Sequence, residues 1–145
     1  MKKYLKVILV VFLCFLFIGC GSNTDNNENV TGDTAEISLA GNASTGYQWT
    51  YIITDETVLS VKSSKYDDGN TKGIVGASGV YSFLLNGLKE GESTIVFSYA
   101  RSWEDNVDPL YTLTYTFKVD SSKKISYEKV TGTYFNSTLP LPIVK

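Results

Sequence analysis

Few of the side chains that perform covalent chemistry are present in this 145-residue sequence. It has no histidine, and its two cysteines, Cys14 and Cys20, both fall within the first twenty residues. A Ser-His-Asp or Cys-His nucleophile would have no base to activate it. The usual zinc ligand sets cannot be assembled either. No Walker or Rossmann glycine loop is present. Two acidic pairs remain, Asp67-Asp68 and Glu104-Asp105. Two carboxylates flanking a cleft could hydrolyse a glycoside. Adjacent residues on a strand or loop point apart, however, and acidic residues in turns are ordinarily just solvated. No EF-hand spacing supports a calcium site. The residue types therefore point away from an enzyme, call for no cofactor and offer no metal site.

Recognition chemistry is concentrated instead in three short stretches. The first is Asn42-Ala43-Ser44-Thr45-Gly46-Tyr47, with Trp49 two residues on. Its small residues and Gly46 let the backbone protrude as a narrow wedge. The second is Gly76-Ala77-Ser78-Gly79, whose two glycines allow main chain to approach another surface closely. The third is Arg101-Ser102-Trp103, directly after Tyr99 and Ala100. Arg and Trp are among the residues most enriched at binding hot spots. Structural roles compete with these readings. Tyr47 and Trp49 share one strand face, so at least one should pack in the core. Gly46 could serve only a turn, and Arg101 could merely pair with Glu104 or Asp105, a contact worth little at a surface. Trp103 sits between a strand and an acidic loop, where an exposed aromatic reads as recognition.

The elements that must hold these stretches are strands. Period-two alternation runs through most of the chain. Thr34 to Leu39 places Ala35, Ile37 and Leu39 on one face. Tyr47 to Ile53 alternates likewise, and a short strand is expected over Val58 to Lys62. Val80 to Leu85 and Ser93 to Ala100 follow, the latter with Ile95, Phe97 and Tyr99 on one face. Leu110 to Val119 alternates Tyr111, Leu113, Tyr115, Phe117 and Val119 with threonines and Lys118. Asn86-Gly87 and Glu90-Gly91 mark turns, and no segment carries a helical period. About seven short strands rich in tyrosine, threonine and valine indicate an all-β, immunoglobulin-like β-sandwich. If each strand crosses the sandwich once, alternate connections share a pole. Gly41–Gly46, Ser63–Ser78 and Arg101–Pro109 are the first, third and fifth connections, so all three recognition stretches should meet at one end.

The first twenty residues stand apart from this fold. Lys2, Lys3 and Lys6 precede an uncharged apolar run from Val7 to Ile18 that ends at Gly19-Cys20. This is the form of a secretory signal, and Leu16-Phe17-Ile18-Gly19-Cys20 resembles the lipobox of bacterial lipoproteins. That resemblance implies acylation of Cys20 and extracytoplasmic anchoring at the cell membrane; Phe17 departs from the usual pattern. Ordinary cleavage near Gly21 is the alternative. Gly21 to Asn29, polar and asparagine-rich, reads as a tether, with residues 21–30 linking anchor to domain. Removal of three lysines from 13 basic and 15 acidic residues leaves a net charge of −5. A mildly acidic domain has no footprint for nucleic acid. Without cysteines the exported body has no internal disulfide.

Taken together, Asn42, Thr45, Gly46 and Tyr47, then Gly76 and Gly79, then Arg101 and Trp103 resemble the chagasin family of cysteine peptidase inhibitors. That family carries Asn-Pro-Thr-Thr-Gly-Tyr, a Gly-x-Gly-Gly-like element and Arg-Pro-Trp in the same order between strands. The resemblance spans roughly Val30 to Val119. It implies a monomeric domain whose wedge around Thr45 enters the cleft of a papain-like cysteine peptidase and covers the catalytic cysteine without covalent chemistry. The second loop would run beside it, and Arg101 and Trp103 would contact the far side. Ala43 and Ser44 replace the usual Pro-Thr, Ser78 a usual Gly, and Ser102 a usual Pro. Loss of both prolines implies a less preorganised wedge and third loop, and so a somewhat weaker affinity. A surface-anchored adhesion or carbohydrate-binding sandwich, stacking sugars on Trp103 and nearby tyrosines, is the competing reading. A sugar platform has no use for a small-residue wedge.

Residues 31–120 are thus expected to form the sandwich, with residues 121–145 as a C-terminal extension. The extension contains Ile125, Tyr127, Val130, Tyr134 and Phe135 and is too apolar for a disordered tail. Lys124 to Lys129 is expected to fold back as an added edge strand, and Pro140 and Pro142 to favour an edge or a loop.

Overall fold

A computed structural model describes residues 30–69 and 78–145. The signal with Cys20, most of the polar tether, and Gly76 and Ala77 lie outside the described residues. Nine strands form among the described residues: β1 (Thr31–Gly32), β2 (Thr34–Gly41), β3 (Gln48–Ile53), β4 (Leu59–Asp67), β5 (Gly79–Gly87), β6 (Gly91–Ala100), β7 (Tyr111–Val119), β8 (Ile125–Gly132) and β9 (Ile143–Val144). They make two antiparallel sheets. One has the order β1-β8-β7-β6-β3, the other β4-β5-β2-β9. This is the all-β sandwich that the alternation calls for.

The alternation also fixes the register. Phe97 on β6 lies opposite Leu113 on β7, and Ile95 opposite Tyr115. A slip of one residue would turn all four to solvent. From the other sheet, Ala35, Ile37 and Leu39 of β2 and Phe83 and Leu85 of β5 close the same core. Phe83 and Phe97 meet across it with ring centroids 4.7 Å apart. Tyr115 is fully buried, and its hydroxyl donates to the carbonyl of Pro140 at 2.8 Å. Among the described residues every buried side-chain nitrogen and oxygen has a hydrogen-bond partner.

Two elements differ from the sequence reading. β4 runs on to Asp67, so Ser63 to Asp67 is strand and the third connection begins only at Asp68. A bulge between Val61 and Ser63 breaks the alternation there. The polar run that follows is held by main-chain pairing with β5, which has no side-chain signature.

The second difference lies in the C-terminal segment. β8 pairs with β7 over its whole length, and β1 pairs with the outer side of β8 at Thr31–Ser126 and Gly32–Ile125. The added strand is therefore longer than Lys124 to Lys129 and sits inside the sheet, not at its edge. Ile125 is fully buried in the common core. The chain then crosses to the other sheet, where β9 pairs with β2 at Ala35 and Glu36. Thr34 and Lys145 exchange both main-chain hydrogen bonds, at 3.0 and 2.9 Å. The prolines at 140 and 142 precede this two-residue edge strand, a place where a missing N–H is tolerated.

Candidate recognition site

The first and fifth connections and the described ends of the third lie at one pole, as strand parity requires. Gly41 at the end of β2 lies opposite Gly79 at the start of β5, so the first loop starts beside the point where the second ends. Arg101 and Trp103 of the third loop both touch the first.

The first loop is built by its own residues. Ala43–Thr45 forms a single 3-10 turn, capped by Asn42 and ended by Gly46 at φ 83°. The Asn42 Oδ1 accepts from the Ser44 amide at 3.1 Å and from the Ser44 hydroxyl at 2.6 Å. The Thr45 hydroxyl and amide both donate to the Asn42 carbonyl, at 2.6 and 3.2 Å. Such local side-chain bonds are why Asn, Ser and Thr favour capped turns over strands. Gly46 supplies the left-handed residue that closes the turn at least cost. Ser44 and Thr45 are left exposed at the tip.

Three tyrosine hydroxyls hold the base of this loop. Tyr99 on β6 accepts from the Asn42 amide at 2.9 Å, and Tyr66 on β4 accepts from the Ala43 amide at 3.4 Å. Tyr134, beyond β8, accepts from the Ala40 amide at 2.7 Å. The Trp49 indole N–H donates to the Ala40 carbonyl at 2.8 Å. Space for these rings comes from glycine. A Cβ on Gly41 would press on the Tyr81 and Tyr99 rings, and one on Gly79 would collide with Tyr66 and the Asp67 main chain. The missing proline at position 43 thus leaves an N–H that Tyr66 can use, whereas a proline would have none to give. Sequence reasoning expected a looser wedge here; the structure supplies side-chain ties to the same segment.

The third loop braces the first. The Arg101 Nε–H donates to the Thr45 carbonyl at 3.2 Å, and Nη1 donates to Glu104 Oε1 at 2.9 Å. The guanidinium also lies 4.5 Å over the Tyr47 ring, which stacks on Tyr99 at 5.3 Å. Glu104 holds the guanidinium above its already high ordinary value, so it is charged throughout the accessible pH range. Arg101 therefore does pair with an acid, but the same planar fork ties two loops together. The Trp103 ring covers Gly46 so closely that a Cβ there would overlap it, yet Trp103 remains 63% exposed.

Of the second loop, Ser78 and Gly79 are described. Gly79 opens β5 and is buried, so it shapes the floor of the pole and presents no contact surface. Ser78 is exposed beside Gly69, whose amide is held by Asp67 Oδ1 at 2.9 Å. Of the two competing core candidates, Trp49 is buried and Tyr47 half-buried. Sequence reasoning missed Tyr66, Tyr134 and Phe135. Tyr66 ends a polar run with no alternation, and the last two lie beyond every motif.

Among its described residues the pole presents main chain, small side chains and an indole, with no histidine or cysteine to activate a hydroxyl. This arrangement is suited to binding. A family profile described as chagasin family peptidase inhibitor I42 matches residues 29–119. Amoebiasin-1 of Entamoeba histolytica is 35% identical over 104 residues, covering 68% of this chain and 97% of that protein. Amoebiasin-2 of the same organism is 33% identical over 84 residues, covering 58% of this chain and 68% of its own length. The crystal structure of the cysteine protease inhibitor EhICP2 from Entamoeba histolytica superposes with a TM-score of 0.52 at 32% identity, over 59% of this chain and 77% of that one. With the family match covering most of the chain, and the first and third loops braced together at one pole, the chain belongs to the chagasin family of peptidase inhibitors.

Proposed function

We propose that this protein inhibits papain-like cysteine peptidases by inserting the Ala43–Thr45 turn into the active-site cleft, flanked by the second loop and by Arg101 and Trp103. The bracing of Thr45 and Gly46 by Arg101 and Trp103 carries this reading. It makes one stiff ridge out of two loops, with Ser44 and Thr45 exposed at its crest. A ridge ordered before binding loses little entropy on entering a groove. A carbohydrate platform would present a flat aromatic face with no turn standing above it. Inhibition requires no covalent step: the turn fills the groove without aligning a peptide bond for attack. The protein acts in this scheme as a monomer.

The test is titration of the domain from Gly21 onward against papain. Hydrolysis should slow stoichiometrically at micromolar domain or below. Thr45→Arg should abolish inhibition with folding intact, because a bulky charge cannot enter the cleft unpaired. Unslowed hydrolysis by papain and by every papain-like enzyme of the host would end this reading.

The location of this activity is part of the same proposal. The signal-like segment and Cys20 support export and lipid anchoring at the outer face of a cell membrane. Cys20→Ala should release the protein into the medium, and mass spectrometry of the native N-terminus should find an acylated cysteine.

A further inference from the structure

The parity that gathers three loops extends to a fourth segment. Counting from β2, the connection between β8 and β9 is the seventh, and it leaves β8 at the same pole. Gly132 ends β8 opposite Leu113. Thr133 then joins Thr112 by two bonds, its amide donating to the Thr112 carbonyl at 2.8 Å and its hydroxyl accepting from the Thr112 amide at 3.2 Å. Thr112 is the second residue of β7, directly after the third loop. Only after this turn does the chain descend beside β2, where Pro140 meets Tyr115.

The turn is ordered by specific contacts. The Ser137 amide donates to the Tyr134 carbonyl at 3.2 Å, and the Thr138 amide to Asn136 Oδ1 at 3.3 Å. Tyr134 reaches Ala40 at the base of the wedge. Phe135 sits on Tyr111 and Tyr99, with centroids 4.4 and 5.5 Å away. Those two tyrosines flank the third loop, and the Tyr99 hydroxyl holds Asn42 of the first. Phe135 is thus seated on the tyrosines at the two ends of the third loop, one of which also anchors the first, and it is 45% exposed. Packing on those rings covers about half of the phenyl group and leaves the rest facing outward at the pole.

Resting on the proposed inhibitory role, we infer that Thr133–Thr138 is a fourth contact loop, and that Phe135 docks on an apolar patch beside the cleft of the bound cysteine peptidase. The occupant is the same enzyme because the ring stands at the same pole, on the tyrosines that carry the first and third loops. This contact lies outside residues 29–119, the span that matches the family.

The experiment uses the full chain, extracted in detergent, with papain as the probe. Amide hydrogen exchange is followed with and without the enzyme, and inhibition constants are measured for wild type, Phe135→Ala and Phe135→Leu. Binding should slow exchange in residues 133–138 together with residues 42–46 and 101–105. Phe135→Ala should raise the inhibition constant about tenfold, chiefly through faster dissociation, as expected when an interface anchor is truncated. Phe135→Leu should recover part of the loss. Protection of the first and third loops with unchanged exchange at residues 133–138 overturns the fourth contact and leaves the inhibitor reading standing. No protection anywhere, with no inhibition, overturns the inhibitor reading itself. The exchange measurement needs no variant, so a folding defect in Phe135→Ala cannot blur the result.

Discussion

The indole of Trp103 occupies the space that a side chain at position 46 would need, so Gly46 is required twice over. Its φ of 83° disfavours any L side chain, and its missing Cβ makes the seat for the ring. Gly46→Ala should destabilise the fold by about 1–2 kcal/mol from backbone strain alone. It should also weaken inhibition further, because Trp103 must leave its seat. Thermal unfolding and inhibition titrations on the same preparation separate the two effects.

Trp103→Ala removes a ring that is mostly exposed, so the unfolding temperature should hardly move. Affinity for a papain-like peptidase should fall by about 2 kcal/mol or more, roughly thirtyfold, if the ring acts as an interface anchor. Isothermal titration calorimetry or inhibition kinetics reads this directly.

Arg101 makes three contacts that lysine cannot reproduce together, since an ammonium lacks the planar fork. Arg101→Lys should weaken inhibition about tenfold while the chain stays folded. Glu104→Gln should change it less than about threefold, because a half-exposed surface pair contributes little. Equal losses in the two variants would mean that the ion pair, and not the Thr45 carbonyl contact, braces the wedge.

Burial pushes the Tyr115 hydroxyl well above the ordinary tyrosine value, and Tyr134 and Tyr81 shift the same way for the same reason. Up to about pH 10 the folded and unfolded chains both keep the Tyr115 proton, so the shift has no effect on stability. At higher pH the unfolded chain releases it while the folded chain retains it. The unfolded state then binds fewer protons, and stability falls by about 1.4 kcal/mol per pH unit for this group. Unfolding temperatures measured between pH 8 and 11.5 should decline above pH 10. Tyr115→Phe should start lower, having lost the bond to Pro140, and decline less steeply.

Much of this architecture was legible in residue order. The alternation around Phe97 and Tyr115 announced paired strands, and Asn42, Gly46, Arg101 and Trp103 announced the loops between them. Strand counting alone predicted that those loops share a pole, because each crossing reverses direction. Other features depend on main-chain pairing, which side chains do not advertise. Ser63 to Asp67 has the composition of a loop and is strand only because β5 lies alongside. The segment after Val119 showed apolar content, but nothing local revealed that β8 would enter a sheet as an interior member. Arg101 illustrates a further limit: its nearest partner in sequence, Glu104, was easy to name, while the Thr45 carbonyl 56 residues away was not.

The hydroxyls of Tyr66, Tyr99 and Tyr134 come from three separate parts of the chain and converge on the amides of Ala43, Asn42 and Ala40. The crest therefore inherits its shape from the body beneath it, much as a keystone takes its position from the arch. Side chains from β4, β6 and the segment after β8 thus hold a share of inhibitory strength through the amides they anchor, and phenylalanine at any of the three would blunt the tool by loosening the base of its crest.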